Sequence, residues 1–288
     1  MKRLESVLRS RPTHWVGDGF PVKSMVSPQD PPEHTSPFLL LDYAEPHEFA
    51  PSDKPRGVGE HPHRGFETVT IAYQGEIDHR DSAGNAGSIG AGDVQWMTAA
   101  SGVVHEELHG ANFTRNGGTF EMIQLWVNLP KGQKMSAPRY QELLKDQIPV
   151  VDLPDGTGTL RVIGGEAFGS KGPAETVTPI NLWDLSLSKG TKTPLELPDA
   201  STTLILVLSG SVGVGDGETA GPGELARFSR EGSQVTLEAM EDSRAVLLNG
   251  TPIDEPVVAN GPFVMNTREE ISEAISDFQN GKMGRLAG

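Results

Sequence analysis

The chain has 288 residues, a formal net charge of −15, 34 glycines, 22 prolines and no cysteine. That length admits two domains of ordinary size. The acidity disfavours a phosphate-backbone ligand, which needs clustered Lys and Arg, and the lack of thiols excludes disulfides and cysteine ligation of a metal. The start carries Lys2, Arg3 and Glu5 and lacks the apolar core of a signal peptide. The run Leu204 to Leu208 is strand-sized and too short to span a bilayer. These features predict a cytoplasmic monomer without nucleic-acid or membrane contacts.

In chain order, Phe66 to Gly75 is β-branched (Thr68, Val69, Thr70, Ile71) and predicts a strand closed by a turn. Ile77 to Asp81 resumes it, and Ser82 to Gly87 has hairpin composition. After the tight turn Gly90-Ala91-Gly92-Asp93 come Val94 to Thr98, then Gly102 to His105, then a strand from Phe120 to Leu129. Short strands separated by turns predict an all-β sandwich or barrel. The order recurs more weakly later: Gly75, Gly90 and Gly102 have counterparts in Gly210, Gly221 and Gly232. The chain therefore reads as a duplicated β-domain. Between the halves, Arg139 to Gln147 predicts one short helix. Near the end, Thr267 with Glu270 forms a capping box, Ile271, Ala274, Ile275 and Phe278 follow at helical spacing, and Gly281 stops the helix.

All eight histidines lie between His14 and His109. Two patterns stand out: His61-Pro62-His63 and His105-Glu106-Glu107. Residues two apart on a strand share a face, so His61 with His63, and His105 with Glu107, can aim at one point from two strands. Three imidazoles and a carboxylate suit Fe(II), and could also hold Mn, Ni, Cu or Zn. In the later copy the matching positions are Glu196, Pro198, Val235 and Leu237, so the ligands are lost and Glu196 reads as a solvated charge. His79 can line the same cavity or lie on the surface. His109 reads as a loop residue, while His14, His34 and His47 read as structural or exposed. Arg64 is expected to pair with Glu67, and Trp96 and Trp126 to lie in the barrel core.

The run His61-Pro62-His63-Arg64-Gly65-Phe66-Glu67-Thr68-Val69-Thr70 resembles the hallmark of the pirin family within the cupin superfamily. The stretches Thr35 to Tyr43, Gly92 to Ala99, Gln124 to Leu129 and Gly261 to Thr267 are similar to that family too. The resemblance implies two tandem jelly-roll-like cupin barrels with a short C-terminal helix. Expected boundaries are residues 1–135 for a metal-binding barrel, 136–180 for a connection, and 181–288 for a barrel without ligands, ending in a helix at about 267–280. It implies one iron held by His61, His63, His105 and Glu107. The general cupin pattern would nominate Glu67 instead of Glu107, which leaves Glu67 as a supporting partner or alternative ligand.

Bacterial members resemble quercetin 2,3-dioxygenases, which implies a flavonol and O2 as substrates and Glu107 as general base. Other members are described as redox-sensitive regulators that bind a transcription factor or metabolic enzyme, so a protein partner is the alternative. A purely structural metal is a third reading. No substrate-contacting residue is nominated by the sequence.

Overall fold

The computed structural model describes residues 1–9 and 11–286. The chain divides into two compact units that do not follow the expected boundaries. One holds Pro12–Pro32, Phe38–Lys145 and Ile253–Gly288; the other holds Met1–Arg11, Glu33–Pro37 and Asp146–Pro252. The ends of the chain are exchanged: strand Leu4–Leu8 pairs with Leu225–Phe228, and the terminal helix belongs to the unit of the early strands. Long-range strand pairing decides this, which no local pattern encodes.

In the unit of the early strands, a seven-stranded sheet runs in the order Arg139–Leu143, Val94–Thr98, Phe66–Gln74, Gly118–Asn128, Phe38–Phe49, Phe20–Val26, His14–Val16. A four-stranded sheet has the order Gly57–His63, Val103–His109, Ile77–Asp81, Ala86–Ile89. Alternation along each strand gives the large sheet one inner face. At one end an apolar plug fills it, built on Phe20, Phe49, Ile77, Phe113 and Phe120. His109 is the last residue of a strand and no loop residue: it is buried in this plug, with Nε2 2.9 Å from the Gly19 carbonyl and its ring stacked on Phe120. The segment expected as a helix after Pro130 is strand Arg139–Leu143 followed by a 3-10 turn, because Arg139 to Leu143 complete the sheet edge beside Val94–Thr98.

The second unit repeats the scheme. Its seven-stranded sheet runs Leu4–Leu8, Leu225–Phe228, Thr202–Ser209, Ser243–Gly250, Ile180–Leu187, Gly158–Gly164, Val150–Asp152; its four-stranded sheet runs Lys192–Glu196, Gln234–Ala239, Val212–Gly215, Glu218–Ala220. Here the interior is apolar: Leu195, Val235 and Leu237 are buried in one core with Trp183, Ile205 and Leu247. Glu196 is exposed and accepts from Gln234 Nε2 at 2.8 Å.

The terminal helix spans Arg268–Gln279 with the capping box formed: Glu270 N donates to Thr267 Oγ1 at 3.1 Å and Thr267 N to Glu270 Oε2 at 3.0 Å. Ile271 and Ala274 bury against Val104, Phe263, Met265 and Met283. Phe278, the last residue of the predicted stripe, is left exposed. The helix holds the end of the His61 strand through Arg64. That guanidinium does not meet Glu67; it donates to Asp277 at 3.0 Å and through Nε to the Ser101 carbonyl at 2.6 Å. Among the described residues no helix is long and apolar enough to cross a membrane.

Gly65 turns the chain from one sheet to the other. Its φ of +92° favours glycine, and a Cβ there would collide with the Val264 carbonyl oxygen. Lys134 closes this corner. Its Nζ, buried at 1% exposure, donates to Gly65 O at 2.6 Å, Asn128 Oδ1 at 2.6 Å and Val264 O at 2.9 Å. Three acceptors match the three N–H bonds of an ammonium, although burial pushes its pKa down to about 7. Lys134→Met strands these acceptors, so the free energy of unfolding is expected to fall by about 2–4 kcal/mol. Urea denaturation measures it; a loss below about 1 kcal/mol would show that the acceptors find other donors.

Candidate metal centre

Strand register assembles the site. His105 pairs opposite His61 on one side and opposite Asp81 on the other; Glu107 lies opposite His79. Candidate ligand atoms of His61, His63 and His105 lie within 4.8 Å of one another, and so do those of His79, His105 and Glu107. The four residues proposed from spacing thus fall into two groups joined at His105. Glu67 stands in neither. Parity along one strand would place it with the histidines, but the chain changes sheets at Arg64-Gly65. Counting from Thr70, which meets Glu107, alternation sends Glu67 to the opposite face of its strand. There it accepts from Thr98 Oγ1 at 2.7 Å.

The hydrogen bonds of the imidazoles fix which nitrogen is available. His61 Nδ1 lies 2.8 Å from Gly59 O, and His63 Nδ1 lies 3.4 Å from Pro262 O, so each donates there and keeps Nε2 as a lone pair. For His105 the assignment runs through two residues. Asp81 accepts from Asn85 Nδ2 at 2.9 Å and lies 3.4 Å from His79 Nε2. Burial opposes ionisation of Asp81, but bonds from His79 and Asn85 outweigh it and hold its carboxyl below the usual range. The anion requires a proton on His79 Nε2, which leaves His79 Nδ1 to accept from His105 Nδ1 at 3.4 Å. His105 Nε2 is then a lone pair, and it is buried without a hydrogen-bond partner among the described residues.

Burial, reinforced by the neighbouring imidazoles, holds His63 and His105 neutral, well below the usual histidine pKa. Neutral imidazoles with convergent free Nε2 atoms are what a divalent ion requires, so the residues fit a metal. His79, which the sequence left open, is buried and stacked on Tyr140 at 4.7 Å between centroids.

Glu107 is set by three residues that lie inside the family-like stretches but were given no role by the sequence. Gln124 Nε2 donates to Oε2 at 3.2 Å, Gln95 Nε2 donates to Oε1, and Thr70 Oγ1 lies 3.0 Å from Oε1. These neutral donors orient the carboxylate and leave lone pairs for a ligand or a proton. His61, His63 and Glu107 share a cavity of about 360 Å³ with Phe20, Leu40 and Trp126. Trp126 is half-buried and its ring lies 5.2 Å from that of His63, whereas Trp96 is fully buried. His14 lines the cavity from an exposed position; His34 and His47 are exposed.

Comparison with known proteins follows the same lines. The Pirin family pattern matches residues 19–127, and that of the Pirin C-terminal cupin domain matches residues 182–284. A Pseudomonas aeruginosa protein described as a candidate quercetin 2,3-dioxygenase is 52% identical over 285 residues, covering 99% of each chain. Human pirin is 40% identical over 257 residues, covering 88% of this chain and 84% of its own. A crystal structure of quercetin 2,3-dioxygenase from Acinetobacter baumannii superposes with a TM-score of 0.96 at 50% identity, with 100% of both chains covered.

Two outcomes are expected. Asp81→Asn removes the anion that fixes the tautomers, so affinity for a divalent ion falls about 10–100-fold; titration calorimetry with the metal-free protein measures it, and unchanged affinity would remove Asp81 from the site. Glu67 is pushed by burial from 4.5 to about 6. The unfolded chain therefore releases this proton first, and the cost to the fold grows from pH 4.5 to 6 and stays constant above. Glu67→Gln should gain about 2 kcal/mol over wild type across that window. Parallel urea-stability curves for the two proteins would contradict it.

Proposed function

This chain belongs to the pirin family of two-barrel cupins, and from that premise we propose that it is a metal-dependent dioxygenase cleaving a flavonol such as quercetin with O2. Fe(II) is the metal named first, held by His61, His63, His105 and Glu107; Mn, Ni, Cu and Zn suit the same donors. The observation that carries the reading is the cavity: three of the candidate ligands, His61, His63 and Glu107, line one pocket of about 360 Å³ together with apolar side chains. That volume lies in the range of small-molecule sites, ~300–1,000 Å³.

When bound, the ion supplies Lewis acidity and a path for electrons between substrate and O2. The protein does the rest. Glu107, steadied by Gln95, Gln124 and Thr70, takes the proton of the flavonol 3-hydroxyl on a carboxylate oxygen. Phe20, Leu40 and Trp126 hold the aromatic rings and keep water out. The asymmetric tautomers of His63 and His105 keep their N–H bonds away from the centre.

A protein partner fits this site less well. His105 is 0% and Glu107 7% exposed, so a partner would meet the surface around these two residues and not the residues themselves. Oxygen uptake with quercetin tests the proposal, using protein reconstituted with each of the five metals. Turnover is expected with at least one metal; His61→Ala should fall to background, and Glu107→Gln should lose about 10²–10⁴-fold in kcat. Uptake no greater than that of His61→Ala with every metal would reject the reading.

A further inference from the structure

Five polar residues form a continuous row across the inner face of the large sheet. Ser24 pairs opposite Asp42, Asp42 opposite Gln124, Gln124 opposite Thr70, and Thr70 opposite Gln95. Most of the row is occupied with itself and with Glu107: Thr70 Oγ1 lies 2.5 Å from Gln124 Oε1 and accepts from Gln95 Nε2 at 3.1 Å. Asp42 is the exception. It is 6% exposed, lines the cavity that holds His61, His63 and Glu107, and has one hydrogen bond among the described residues, from Ser24 Oγ to Oδ1 at 2.5 Å. Its second oxygen is left to the cavity.

We infer that Asp42 is a second recognition point for the ligand, accepting a hydrogen bond from a hydroxyl other than the one at Glu107. This rests on the flavonol reading and adds what the ligand must carry: at least two hydroxyls, one at the candidate metal centre and one at Asp42. The spacing follows from the sheet. Gln124 reaches Glu107, and Asp42 sits one strand further on, ~5 Å away across the ladder.

The chemistry favours a neutral donor. No Lys or Arg among the described residues lines the cavity, and two carboxylates already face it, so an anionic substituent is repelled. A buried carboxylate with a single partner is costly until another donor arrives. Burial pushes the Asp42 carboxyl above its usual range, with Ser24 and His14 opposing, as expected of a group short of donors. A site built to bond a hydroxyl rejects analogues that lack it.

Two probes separate the possibilities: quercetin, which carries ring hydroxyls besides the 3-hydroxyl, and 3-hydroxyflavone, which does not. Each is titrated into metal-loaded protein, with the flavonol absorption band as readout. Wild type is expected to bind quercetin at least 10-fold more tightly. Asp42→Leu should abolish that preference by weakening quercetin alone. Asp42→Asn, which keeps an acceptor for Ser24 and should preserve the fold, should narrow it because a neutral acceptor bonds more weakly than a charged one.

Equal affinity of wild type for both probes, or parallel losses of both in the two variants, would overturn the role of Asp42 and leave the flavonol reading standing. Binding of neither probe by wild type would overturn both.

Discussion

The pairing of His105 with His61 on one side and Asp81 on the other is the constraint on which the centre depends. It sets three strands of the small sheet in one register. A slip of one residue would turn His105 and Glu107 out of the barrel together. The corner at Gly65, tied by Lys134 and backed by Arg64 on Asp277, holds the end of the His61 strand in that register. A candidate site built on two strands is therefore as firm as the ladder between them.

Around that ladder the interior is layered. Apolar side chains fill one end, the polar row crosses the middle, and the imidazoles stand above it with Phe66 and Trp126, whose rings lie 4.3 Å apart. Each layer has a physical task. The plug supplies hydrophobic stabilisation, the row satisfies Glu107, and the aromatic rim limits water. The polar groups are tolerable inside because most of them bond to one another. Asp81 and His79 extend the same logic outward, fixing the proton positions on which free lone pairs depend.

The second unit shows what this strand scheme does without the chemistry. Its sheets have the same strand order, yet Val235 and Leu237 stand where His105 and Glu107 would fall, and both are buried in a continuous apolar core. Its own cross-strand polar residues on that face, Asn181, Asn249 and Thr203, are neutral and hydrogen-bond one another beside the apolar core. The two units share the strand order, and the second fills with apolar packing the space that the first leaves as a cavity.

That His61 lies near His63, and His105 near Glu107, was legible in the sequence because strand alternation is local: two residues apart means one face. The duplicated strand order and the capped helix were legible for the same reason, since turn glycines and capping boxes act over a few residues. Glu67 shows where that logic stops, because parity does not survive the turn at Gly65. Asp42, Thr70, Gln95 and Gln124 all lie in the family-like stretches, yet nothing local said that they share a row or what each one bonds. The Asp277 partner of Arg64 lies 213 positions away, and the chain ends exchange units through pairings just as remote. Side-chain identity and alternation thus fixed which atoms could bind a metal, while tertiary pairing decided which proton, which partner and which face each one received, because those depend on neighbours that are close only after the sheets form.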